Sequence, residues 1–168
     1  TRLVPPSQEQ YDAFVESLEP GVRSTLTTTS LTLAGVAQSF LGQISHHPPV
    51  TRALMIRDWI VEHGQYEKGY HEFRSLRATL SLSEKLRFMM IRASMLNHPG
   101  RNHPRKLFSG VCADYALLAL VMYRASGLVA TVATGYVVSG KEIDNKHAHA
   151  LNVIYFPDAR GSVRKFEL

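Results

Sequence analysis

The stretch CADYALLALVMYRASG, from Cys112 to Gly127, constrains this chain more than any other. From Ala116 to Tyr123 it is apolar on every side, and a helix with no polar face has to be covered all round. Gly127 closes it, and the pattern then changes. LVATVATGYVV is a β-branched strand, SGKEIDNK a turn-rich loop, and HAHALNVIYF a second strand. PDARG makes a turn before a third strand, SVRKFEL. Consecutive strands form an antiparallel sheet, so the apolar helix is expected at the centre of an α+β domain, packed on that sheet.

Upstream, the chain reads as helical. VPPSQEQYDAFVESLEPG is a short helix with Ser7 as N-cap and Pro20-Gly21 as its end. LTTTSLTLAGVAQSFLGQI is ambiguous, because its threonines favour extended structure while Leu33 to Ile44 suit a helix. VTRALMIRDWIVEHG is more decisive: Ala53, Ile56, Trp59, Ile60 and His63 recur at helical spacing, Trp59 reads as core, and Gly64 is the stop. LSLSEKLRFMMIRASMLNHPG is a further helix, capped at Ser81 or Ser83 and closed by Pro99-Gly100. NHPGRNHPRK is a loop whose Arg101, Arg105 and Lys106 read as solvated charge.

The 168 residues suit a single domain, here divided into a helical N-terminal extension over 1–47 and a core over 48–168. The chain begins at Thr1 without a methionine and stops at Leu168 inside a strand, so a truncated piece of a larger, membrane-anchored parent is expected. Within the chain itself no apolar run is long enough to span a bilayer, and no signal-peptide pattern is present. Net charge is +5. The basic residues are scattered, without a Lys/Arg block and interleaved aromatics, which argues against nucleic acid as a partner.

A single cysteine excludes an internal disulfide and any zinc site built from several thiolates. Cys112 follows Ser109-Gly110-Val111, so it opens its helix. Unpaired N–H groups and the positive dipole end favour a thiolate there, and the same N–H groups suit an oxyanion. Asp114, in the same turn, is favoured by the dipole but works against the thiolate. A nucleophilic thiol needs a base from elsewhere. On the second strand His147, His149, Leu151 and Val153 share one face, so both imidazoles would meet the cysteine helix if that face is buried. The competing reading is a histidine metal site using His147-x-His149, with His46, His47, His98 and His103 elsewhere; no carboxylate shares the His-x-His face.

GVCADYA resembles the Gly-x-Cys-x-Asp-aromatic-Ala signature of the transglutaminase-like superfamily. HALNVIY is similar to that family's His-Ala-Trp-Asn-x-Val-Tyr strand, and the intervening GLVATVATGYVV to its preceding strand. TRALMIRDWIVEHGQYEKGY is more weakly similar to the upstream segment of bacterial members. The resemblance implies a papain-like core with a Cys-His-acid triad, no cofactor, and a protein or peptide amide as substrate. It selects His149 as base, with His147 as neighbour, and Gln65 and Tyr66 as oxyanion or substrate-binding candidates. Leu151 replaces the usual Trp, and Val153 a common Glu.

The family's acid lies on the third strand. If the hairpin turns at Asp158-Ala159, Leu168 stands opposite His149 and Glu167 is the nearest acid, whereas Asp158 is too far along the strand. A slip of one or two residues would move the acid past Leu168. The activity implied is acyl transfer at amides, by transamidation, deamidation or proteolysis, and the family favours an extracytoplasmic location. A catalytically silent binding module of the same fold is the other-class alternative.

Overall fold

The computed structural model describes residues 5–27, 35–67, 78–96, 106–139, 142–158 and 163–167. In chain order its elements are α1 (Gln8–Ser17), α2 (Pro20–Thr27), α3 (Gly35–Ile44), α4 (Pro49–His63), β1 (Gly64–Tyr66), α5 (Leu82–Leu96), β2 (Phe108–Gly110), α6 (Cys112–Ala125), β3 (Ala130–Ser139), β4 (Glu142–Pro157) and β5 (Val163–Glu167). The α+β class and the antiparallel order β3-β4-β5 are as expected.

The helix caps explain most boundaries. Ser7 and Gln10 form a reciprocal capping box at α1, and Ser81 with Glu84 does the same at α5, which settles the Ser81 or Ser83 alternative. Pro20-Gly21 does not simply end α1. It opens α2, since proline's missing N–H is not needed in a first turn, and the Glu19 carboxylate accepts from the Val22 N–H at 3.0 Å. The ambiguous threonine-rich stretch is helical from Gly35; residues 28–34 and Pro99-Gly100 lie outside the described residues.

The apolar helix α6 is central. Leu118, Val121, Met122 and Tyr123 are almost wholly buried, and β3, β4, α4 and α5 pack around it. It ends in a left-handed Gly127 (φ 81°), with the Leu128 N–H donating to the Tyr123 carbonyl at 2.9 Å. Trp59 belongs to the same core, stacked between Phe40 and His63. So do Tyr11 and Phe14 of α1: the Val129 N–H donates to the Tyr11 hydroxyl at 2.6 Å.

Three strand features differ from expectation. β1 and β2 form a small parallel pair, too short to leave a periodic signal. SGKEIDNK is largely strand: β4 starts at Glu142 and pairs to Ser139, with residues 145–147 unmatched between Tyr136↔Ala148 and Val137↔Asp144. Finally, β5 pairs Pro157↔Val163 through Val153↔Glu167. The connection is longer than a tight turn at Asp158-Ala159, and that slides the third strand along β4.

Candidate active site

Cys112 is the first residue of α6, preceded by an extended Val111 (φ −114°, ψ 179°) that offers no side-chain cap. The thiol is free and half-buried. Asp114, 1% exposed, turns its carboxylate back to accept from the Val111 N–H at 2.9 Å. The N–H groups of Cys112 and Ala113 have no partner among the described residues. Two adjacent donors beside a thiol make a frame for an oxyanion.

The mouth of α6 is held by β1 and β2. Gln65 pairs with Ser109 and Tyr66 with Gly110, so both sequence candidates lie beside the segment that leads into Cys112. The Tyr115 hydroxyl sits 2.8 Å from the Gln65 carbonyl and 3.1 Å from that of Phe108, tying the helix back onto both strands. Gly64 is required for this approach: a Cβ there would stand 2.7 Å from the Ile60 carbonyl and 2.7 Å from the Tyr115 ring. Gln65 is half-buried, while Tyr66 is exposed.

β4 carries His149 to the same end. β3 leaves the C-terminal end of α6 and β4 returns antiparallel to it, Ala130 pairing with Ile154. Asn152, 4% exposed, donates through Nδ2 to the Ala116 carbonyl at 2.8 Å. From that contact Cys112 is one helical turn away, about 6 Å, and His149 three strand residues away, about 10 Å, both toward the mouth.

The face expectation is corrected. Asn152 reaches α6, so alternation puts His149, Leu151 and Val153 on the other face of the sheet, where Val153 is buried, Leu151 half-buried and His149 exposed. The His149 ring is exposed, and among the described residues no hydrogen bond joins it to the Cys112 thiol. Asn152 was the signal in the motif that fixes the helix-facing side, and its side-chain role was not read from the sequence.

The hairpin register is corrected as well. Glu167 stands opposite Val153, four residues along β4 from His149, rather than beside it. The side chains of His147 and Glu167 lie outside the described residues. Asp158 accepts from Arg164 Nε at 3.0 Å in its own hairpin. Lys106 donates to the Glu62 carbonyl at 2.5 Å; Arg101 and Arg105 are outside the described residues. No group of three metal-binding side chains occurs among the described residues, and no helix is long and apolar enough to cross a membrane.

A search of curated proteins finds no match to this chain. Among solved structures it is similar to a crystal structure described as "a Putative Cysteine Protease from Cytophaga hutchinsonii", at 22% identity and a TM-score of 0.42. That match covers 84% of this chain and 45% of the other, so the chain spans less than half of that protein's length. The family model described as the transglutaminase-like superfamily matches residues 38–161. That span includes the cysteine helix, the histidine strand and the segment between them, and on it the chain belongs to the transglutaminase-like superfamily.

Proposed function

We propose that this domain performs thiol-dependent acyl transfer at amide bonds of a protein or peptide, with Cys112 as nucleophile and His149 as general base and acid once a local change in β4 turns its ring from the outer face to the mouth of α6. The observation that carries this reading is the mouth of α6: the chain's only thiol, half-buried, beside two N–H groups without a partner among the described residues. The thiolate attacks the amide carbonyl carbon, and the oxyanion rests on the Cys112 and Ala113 N–H groups. The imidazolium returns its proton to the departing amine as the C–N bond breaks, leaving a thioester. Water then yields a carboxylic acid, or a second amine yields a new amide, with His149 accepting the attacking group's proton. Gln65 and Tyr66 line the approach as substrate contacts.

For the orienting acid, the register favours a position past Glu167. If the pairing continued past Val153↔Glu167 in a longer chain, the third residue after Leu168 would stand opposite His149. Extending the chain by about ten residues and comparing turnover with Glu167→Gln in that longer chain assigns the acid.

A second reading has one observation in its favour: the exposed His149 ring leaves the sheet on the side away from α6, as in a binding module whose triad is silent. One experiment separates the two. Alkylation of the single thiol is followed from pH 5 to 9 in wild type and His149→Ala. Rapid reaction well below the free-thiol pKa of about 8.5, slowed in the variant, supports catalysis; two identical ordinary-thiol profiles support the binding module.

A further inference from the structure

We infer that Glu67 is a positioning residue for the nucleophile, clamping the segment that delivers Cys112 to its place. The inference rests on the reading of Cys112 as nucleophile. β2 ends two residues before Cys112, so its orientation sets where the thiol and the N–H groups of Cys112 and Ala113 point. A pair of three-residue strands does not hold itself in place. Glu67 holds it with three bonds. Its N–H donates to the Gly110 carbonyl at 3.0 Å, extending the β1–β2 pairing. One carboxylate oxygen accepts from the Ser109 hydroxyl at 2.8 Å. The other pairs with the Arg92 guanidinium of α5, 25 residues away in sequence.

The clamp therefore joins the end of β1, the middle of α5 and the strand entering the cysteine helix. Ser109 is wholly buried, and the side chains of Glu67 and Arg92 are 14% and 18% exposed. Burial alone would raise the Glu67 pKa, but the bonds from Arg92 and Ser109 outweigh it and hold the carboxyl below its usual range. Such a charged, mostly buried network contributes more to fixing one geometry than to net stability. Its place matters because misplacing a reacting group by about 1 Å can cost on the order of 100-fold in rate.

The test compares wild type, Glu67→Ala and Glu67→Gln, the last able to keep the Ser109 bond without the charge. Hydrogen exchange is read at the amides of Val111, Asp114 and Tyr115, all bonded at the mouth, against those of Leu118 and Val121 inside α6. Alkylation of Cys112 is read at pH 7. The clamp predicts that Glu67→Ala speeds exchange at the mouth about tenfold relative to the helix interior and slows alkylation about tenfold, while Glu67→Gln recovers part of both. Equal changes at mouth and interior, or alkylation that does not follow mouth exchange, overturn the inference. If wild type and His149→Ala alkylate alike as ordinary thiols, the catalytic reading fails, and the exchange data still judge the clamp. Should Glu67→Ala not fold, Ser109→Ala takes its place in both measurements, with the same outcomes.

Discussion

The two ends of α6 are built on opposite principles. At the C-terminal end the backbone is closed by bonds over a buried layer of Met122, Tyr123, Leu128 and Val129: Gly127 turns the chain, the Leu128 N–H donates to the Tyr123 carbonyl, and the Tyr11 hydroxyl takes the Val129 N–H. At the N-terminal end the helix starts without a side-chain cap, on a half-buried thiol, with exposed Tyr66 and His149 nearby. The difference shows where this fold spends satisfied contacts and where it leaves groups available. The proposed chemistry draws on the open end, and stability on the closed one.

That contrast fails if the ends respond alike to substitution. The largest effect is expected at the open end. Cys112→Ala should reduce amide turnover by about 1,000-fold or more, while thermal unfolding moves little. A melting temperature that falls as far as activity does would make the thiol a packing residue. His149→Ala comes next, with a loss of about 100- to 10,000-fold in turnover and an unchanged melt, as expected for an exposed ring.

At the closed end the balance reverses. Met122→Ala, at a wholly buried position, should cost about 2–5 kcal/mol in denaturant unfolding and leave Cys112 alkylation at its wild-type rate. Tyr11→Phe should cost less, about 1–3 kcal/mol, because it removes the oxygen that accepts the buried Val129 N–H. Normal stability in Tyr11→Phe would mean that water replaces the hydroxyl there.

The smallest effects come from pH, and they separate the ends by sign. Burial pushes Tyr11 and Tyr123, both at the closed end, up to about 12 from an ordinary 10. Their contribution is complete below pH 10 and is lost as pH rises from 10 toward 12. Glu67, at the mouth, is held below its ordinary 4.5, so its contribution is complete above that value and is lost as pH falls through the depressed pKa. Hydrogen exchange across pH should show the mouth loosening in acid and the closed end in alkali. Simultaneous loosening at both ends would make α6 a single cooperative unit.

Much of the fold was legible because it depends on local pattern. Ser7, Ser81 and Gly127 cap helices by bonds within a few residues, and an apolar helix followed by β-branched runs leaves few ways to be buried. The register of β5 was not legible, since the length of the connection sets it and no local pattern gives that length. Nor was the Glu67–Arg92–Ser109 clamp, whose members are separated by 25 and 42 residues and meet only through packing.

The sequence by itself determined that the thiol opens a helix too apolar to lie anywhere but the centre, and that a histidine follows on a strand of the covering sheet. Those properties belong to residues and their neighbours along the chain. Only the tertiary structure decided which side of that strand faces the helix, because alternation defines two faces and not which of them is inward. That choice was made by Asn152 reaching the Ala116 carbonyl, a bond between groups 36 residues apart, and it sets the His149 ring on the open side.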